Sequence, residues 1–188
     1  RRGRRSPHVV ARAGISRTFQ NIRLFSNMTV LENVLVGLDR TIPGGTLAML
    51  LRTPANRRAE AAARSRAFAE LEFVGLAASA NRIAGQLPYG DQRRLEIARA
   101  LATGATLVLL DEPAAGMNPA ETAELAALVE RIRDRGLTVL LIEHQINVVM
   151  KISDRIAVLD HGEKIAEGTP AQVRADARVI EAYLGGEG

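Results

Sequence analysis

Leu107-Val108-Leu109-Leu110-Asp111-Glu112 and Leu137-Thr138-Val139-Leu140-Leu141-Ile142-Glu143-His144 decide how this chain is read. Each is a short apolar run that ends abruptly in residues able to handle protons or metal ions. Runs of this length without alternation read as strands buried on both faces, and in open α/β sheets the ligand sits beyond the carboxyl ends of such strands. The pattern therefore places Asp111, Glu112 and His144 at one site. Between the runs lies a complete helix start: Asn118 as cap, Pro119 at the first position and Glu121 at the third, then Leu125, Leu128, Val129 and Ile132 on one face. Gly136 stops the helix. Strand, helix and strand in that order make a βαβ unit, with parallel pairing and a right-handed crossover.

Working outward, Val30, Val34 and Leu38, with Leu31 and Leu35 beside them, recur at helical spacing behind a Thr29 cap. The apolar stretch Leu47-Ala48-Met49-Leu50-Leu51 sits between breakers within Thr41 to Pro54 and is expected to pack inward. Ala55 to Ala78 reads as a long surface helix ending near Gly75, with Phe68, Leu71 and Leu76 on one face. A second helix is expected from about Asp91 to Ala102. Its buried stripe is Leu95, Ala98 and Leu101, with Arg93, Glu96 and Arg99 pairing at i,i+3 on the exposed side. Farther on, Arg155 to Asp160 and Glu163 to Glu167 flank His161-Gly162 and predict a hairpin at the sheet's edge. Thr169-Pro170 opens a last helical region, which closes on Val179, Ile180, Tyr183 and Leu184.

A chain of 188 residues with 47% hydrophobic content can bury one core, with room for a small helical subdomain. It has no cysteine, which removes disulfides and thiolate metal sites from consideration. The apolar runs fall far short of the ~20 residues that cross a bilayer, so any membrane role comes through a partner. The net charge of +4 is an end effect: Arg1, Arg2, Arg4, Arg5, Arg12 and Arg17 fall in a stretch with no acidic residue, and without them the acids are in slight excess. A solvated or locally paired arginine cluster accounts for this, not a nucleic-acid surface. His8 and His161 read as surface residues.

A buried strand ending in Asp-Glu offers two carboxylates with separate tasks: one can hold Mg²⁺, the other can orient and deprotonate an attacking water. That division suits nucleotide hydrolysis. Leu87-Pro88-Tyr89-Gly90-Asp91-Gln92-Arg93-Arg94-Leu95-Glu96-Ile97-Ala98-Arg99-Ala100-Leu101 places a glycine turn at a helix N-terminus, where backbone N–H groups and the helix dipole attract phosphate. This segment resembles the signature motif of ABC-transporter ATPases. Asp111 and Glu112 resemble the end of their Walker B strand, Ala115-Gly116-Met117-Asn118 the D-loop, His144 the switch histidine, and Gln20 in Arg17-Thr18-Phe19-Gln20-Asn21 the Q-loop glutamine. The resemblance implies a P-loop-type α/β ATPase domain with a parallel core sheet and a helical subdomain. Its implied division is 1–28 for the end of an N-terminal core region, 29–104 for the helical subdomain with the signature, and 105–188 for the catalytic core.

Roles follow by resemblance. Glu112 would be the general base, His144 would bind the γ-phosphate, and Asp111 with Gln20 would hold Mg²⁺. Leu87, Pro88, Tyr89, Gly90, Asp91 and Gln92 would face ATP held by a second subunit, with Asn118 at the same interface. The chain departs from the family's usual signature at Pro88, Tyr89 and Asp91, and from the D-loop at Asn118. A lost hydroxyl and an added acid near phosphate both weaken nucleotide contact. The only lysines, Lys151 and Lys164, follow Met150 and Glu163, so no Gly-Lys-Ser/Thr P-loop occurs. The sequence is thus expected to be the latter part of an ATPase domain, with apolar sheet surface left uncovered.

Arg17 to Gly37, the stretch Thr53 to Glu60 and the ending Ala182-Tyr183-Leu184-Gly185 resemble ATP-binding subunits of bacterial branched-chain amino-acid importers. This implies a peripheral protein on the cytoplasmic face of the inner (plasma) membrane. Its implied partners are permease subunits touched by Gln20 to about Thr53, a second ATPase subunit, and indirectly a periplasmic or surface solute-binding protein. The alternative is a non-catalytic module that supplies signature and permease-contact surfaces to a complete ATPase partner. A nucleic-acid-acting ABC ATPase would need a long coiled-coil insertion or a tandem domain, and the sequence has neither.

Overall fold

The structure is a computed structural model and describes residues 7–18, 22–38 and 54–184. Gln20, the apolar stretch Leu47–Leu51, and Arg1, Arg2, Arg4 and Arg5 of the basic cluster lie outside the described residues. The chain divides into two compact units, Arg1–Ile142 and Glu143–Gly188.

In the first unit, α1 (Pro7–Arg12) leads into β1 (Ile15–Arg17), and α2 (Val30–Leu38), α3 (Pro54–Phe73) and α4 (Tyr89–Ala102) follow. Then come β2 (Leu107–Asp111), α5 (Pro119–Asp134) and β3 (Thr138–Ile142). The strands form a parallel sheet in the order β1-β2-β3, with Leu107 opposite Thr138 and Asp111 opposite Ile142, the βαβ unit that the pattern predicts. Asn118 and Glu121 close a reciprocal capping box at the start of α5. Thr29 and Glu32 do the same for α2, where the Thr29 hydroxyl accepts from the Glu32 amide and the Glu32 carboxylate accepts from the Thr29 amide.

The expectation of strands buried on both faces needs correction. In β2, Val108 and Leu110 are fully buried while Leu107, Leu109 and Asp111 are half-buried. In β3, Leu140 and Ile142 are each 50% exposed, because β3 is the edge of this sheet among the described residues. Phe68 is exposed and does not join Leu71 and Leu76, which are buried.

Helix α4 differs most from its reading. It begins at Tyr89, two residues early, with Pro88 at the N-cap, and Gly90 lies inside its first turn, not in a glycine turn before it. Arg93 and Glu96 are each 2% exposed, so the charged face lies in the interior. The cause is packing: α2, α3 and β1 all lean on α4, which leaves little of its circumference to water. Helix α2 comes closest at Gly37, where an added Cβ would stand 2.5 Å from the Arg99 carbonyl oxygen.

In the second unit, α6 (Ile146–Ile152) precedes the antiparallel pair β4 (Ile156–Asp160) and β5 (Glu163–Gly168), and α7 (Pro170–Ala175) follows a Thr169–Gln172 capping box. The predicted hairpin forms, with His161 and Gly162 both at positive φ, the pairing that a two-residue type I′ turn requires. Among the described residues it forms a two-stranded sheet of its own, where the sequence reads as the edge of a larger one. Ile156, Ala166, Val173 and Val179 form its core, while Ile180 and Tyr183 remain exposed.

Candidate functional site

The carboxyl end of β2 is built by register. Arg17 on β1 is opposite Leu109, and Asp111 lies two residues farther along the same face of β2. The Arg17 guanidinium therefore reaches Asp111 diagonally and pairs with its carboxylate at 2.7 Å. Arg17, read as part of a solvated or locally paired arginine cluster, instead pairs with an acid 94 positions away in the chain. Glu112 then leaves the strand: its N–H still donates to the Ile142 carbonyl at 2.8 Å, and its carbonyl accepts from Ala115. Its φ is 45°, the left-handed region that side chains other than glycine rarely enter. Backbone held there costs about 1–3 kcal/mol and needs its surroundings to impose it. The turn takes Glu112 out of the strand's alternation, so that two successive carboxylates are not forced onto opposite faces.

The segments that resemble the signature and the D-loop meet at Tyr89 and Gly116. An added Cβ at Gly116, whose φ is 76°, would stand 3.6 Å from the Tyr89 ring. Gly90 lies against Glu121, 3.1 Å from a built Cβ to Oε1. Pro88, Gly90, Asp91, Arg94, Met117, Glu121, Glu124 and Leu125 border a cleft of about 40 Å³, far below the ~300 Å³ of ligand pockets, so this end of α4 is a face and not a pocket. Helix geometry leaves the amides of Tyr89, Gly90 and Asp91 at its open end, while the Gln92 amide donates to the Pro88 carbonyl at 3.0 Å.

Asp91 is paired with Arg94, which also lies 3.5 Å from Glu124. The acid that stands near an expected phosphate is thus partly neutralised within its own helix turn. The Gln92 side chain is turned back to donate to the Leu87 carbonyl at 2.8 Å, and Asn118 Oδ1 is used as the helix cap, accepting from Glu121 at 3.0 Å. In the second unit, Glu143 Oε2 accepts the backbone amides of His144 and Gln145 at 3.1 and 3.4 Å, and the His144 ring is 65% exposed.

A larger cleft, about 370 Å³, opens elsewhere in the first unit between Arg17, Arg23, Phe25, Val36 and Arg99. Phe25 and Val36 are exposed on its rim. Burial lowers the Arg99 guanidinium from its ordinary value and Glu96, 3.9 Å away, opposes the shift. Asn33, Glu96 and Arg99 were not singled out for function in the sequence. The spacing of Arg93, Glu96 and Arg99 marks a row of ion pairs along α4, and nothing in it tells which of these side chains the packing of α2, α3 and β1 encloses.

The ABC transporter family model matches residues 4–115, and that of the branched-chain amino acid ATP-binding cassette transporters matches residues 163–188. The chain belongs to the ABC transporter ATPases. This ABC ATPase is 52% identical over 179 residues to the high-affinity branched-chain amino acid transport ATP-binding protein BraF of Pseudomonas aeruginosa, covering 95% of this chain and 70% of BraF. It is 51% identical over 177 residues to LivG of Escherichia coli, a protein of the same description, covering 94% of this chain and 69% of LivG. Its fold is similar to the ADP conformation of an ATP-binding cassette of an ABC transporter, with a TM-score of 0.75 and 33% identity over 96% of this chain and 72% of that one. Membership makes the ABC ATPase a nucleotide-binding protein whose relatives serve in transport, and no helix among the described residues is long and apolar enough to cross a membrane.

Proposed function

We propose that this ABC ATPase is the subunit that hydrolyses ATP to drive a membrane importer of branched-chain amino acids. The observation that supports the catalytic part is the end of β2, where the left-handed turn at Glu112 takes it out of the strand's alternation directly after Asp111. In this reading Glu112 takes a proton from a water as that water attacks the γ-phosphoryl group; the bond to the β-phosphate oxygen breaks, and ADP and phosphate leave. His144 is assigned to the γ-phosphate by its resemblance to the switch histidine of the family. Gln20 completes the set by resemblance.

A divalent ion suits the donors present. Mg²⁺ is held through one or two carboxylates, with phosphate and water supplying the rest. Asp111, a half-buried carboxylate whose present counter-charge is Arg17, fits that need, and no group of three or more His, Cys, Asp or Glu that could form an all-protein cage exists among the described residues. Bound there with Gln20, the ion would offset charge on the phosphates.

The open end of α4 supports a nucleotide contact made across a dimer, since a face without a pocket needs a second subunit to enclose its ligand. The partners of the reading are a like or homologous ATPase subunit, permease subunits on the segment from Gln20 to about Thr53, where Phe25 and Val36 are exposed at the cleft rim, and a solute-binding protein acting through the permease. The location is the cytoplasmic face of the inner membrane, and the helical subdomain of 29–104 carries the signature segment.

The test uses the full natural polypeptide with its permease in proteoliposomes. Glu112→Gln keeps nucleotide binding and lowers hydrolysis by about 10²–10⁴, the usual weight of a general base. Unchanged turnover removes Glu112 from the mechanism. Uptake of leucine, isoleucine or valine that depends on ATP supports the substrate, and uptake of another solute class alone refutes it.

A further inference from the structure

The segment Arg23–Phe25 has no strand to pair with among the described residues, yet its backbone is bonded as if it had one. Asn33 of α2, fully buried, accepts from the Phe25 amide with Oδ1 at 2.9 Å and donates to the Phe25 carbonyl with Nδ2 at 3.1 Å. Glu96 of α4 accepts from the Arg23 amide at 3.4 Å, and Arg99 of α4 donates to the Arg23 carbonyl at 2.5 Å. Two residues of this segment thus have both backbone polar groups held by side chains, Phe25 by α2 and Arg23 by α4, and the Phe25 carbonyl also accepts from the Met28 amide at 3.0 Å. The Arg99 guanidinium also lies over the Phe25 ring, 5.7 Å from its centre.

This segment is the rim of the larger cleft, where Phe25 is 48% exposed. Glu96 sits six residues beyond Gly90, about 9 Å along the same helix. A helix shifts as a rod, and the close fit of α2 on α4 at Gly37 makes α2 move with it. We propose that Asn33, Glu96 and Arg99 are positioning residues that fasten the cleft rim Arg23–Phe25 to α4, so that the nucleotide face at Gly90 and the partner cleft move as one body. This rests on the reading in which the end of α4 faces ATP and the cleft faces the permease.

A buried carboxylate is a costly way to cap a loop, since desolvating it is offset only by close cationic and amide partners. Here those partners belong to the rim itself and to Arg93 and Arg99.

Arg99→Ala is the sharper variant, because Glu96 and Asn33 lie too deep for their loss to be read apart from folding. In the assembled transporter, Arg99→Ala leaves basal hydrolysis and its nucleotide KM within about twofold of the natural protein. It lowers transport-stimulated kcat about five- to tenfold, the factor that one lost hydrogen bond of ordinary strength gives. Arg99→Lys, which keeps a donor for the Arg23 carbonyl, restores most of the stimulation. Hydrogen exchange at the Arg23 and Phe25 amides speeds up about tenfold in Arg99→Ala and is near normal in Arg99→Lys. Basal and stimulated rates that fall together, or stimulation that is unchanged, overturn the proposal. A Gly90→Ala control separates this from the underlying reading: loss of hydrolysis there with a silent Arg99→Ala refutes the rim linkage alone, whereas a silent Gly90→Ala refutes the nucleotide face.

Discussion

Gly37→Ala measures how closely α2 and α4 are fitted. The added Cβ would stand 2.5 Å from the Arg99 carbonyl oxygen and 3.2 Å from the Ala102 Cβ. The nearer atom is backbone in the last turn of α4 and cannot swing aside as a side chain could, so the helices must part. Overpacking of this kind costs about 1–3 kcal/mol, and a backbone clash belongs at the upper end. Alanine in place of glycine within a helix returns about 1 kcal/mol. The net loss is about 2 kcal/mol, which for a chain of this size lowers the melting temperature by roughly 4–8 °C. Circular dichroism on heating and a urea titration with unchanged slope read it directly. A variant as stable as the natural protein, or more so, would show that α2 and α4 are not in close contact at this point. The account of the rim as a single body with α4 would lose its support with it.

The strain at Glu112 separates two substitutions that both remove its carboxylate: Glu112→Gly should be about 1 kcal/mol more stable than Glu112→Ala, because only glycine occupies φ 45° without penalty. Chemical denaturation of the pair decides it, and equal stabilities would mean that the left-handed turn is absent. The Glu32 carboxyl is held below its ordinary value, first by the Thr29 amide, then by the Thr29 hydroxyl, with Arg64 adding slightly and desolvation opposing. Its contribution to α2 is therefore present above the unfolded carboxyl's value and is lost as pH falls through the lower folded value. An NMR titration should place the Glu32 midpoint below that of a free glutamate, and a midpoint at or above it would rule out the capping box.

Much of this fold is readable where chemistry is local. The capping boxes at Thr29, Asn118 and Thr169 each lie within four consecutive residues, and the His161-Gly162 turn within two, so composition reveals them without knowledge of the rest. The βαβ unit is legible for the same reason. The failures are nonlocal. Arg93 and Glu96 read as a solvated pair because i,i+3 charges on helices usually are, and only the arrival of α2, α3 and β1 encloses them. Leu140 and Ile142 read as buried because an apolar run carries no sign of whether its strand has a neighbour on each side. At the site, the order of motifs pointed to Asp111 and Glu112. No pattern could show that Arg17 would pair with Asp111, since that depends on the register of β1 against β2.

That register has a consequence for how the molecule comes into being. Gly14 and Thr106, which flank the start of the β1–β2 pairing, are 92 positions apart in the chain. Closing a loop of that length costs about 4 kcal/mol in chain entropy if the intervening residues are loose. At roughly 5–20 residues per second on a ribosome, β1 waits about 5 to 20 s before its partner is made. During that interval its unpaired edge can be met by any other nascent strand. The helices formed from the intervening residues shorten the effective loop, so their early folding guards the first strand until the second arrives.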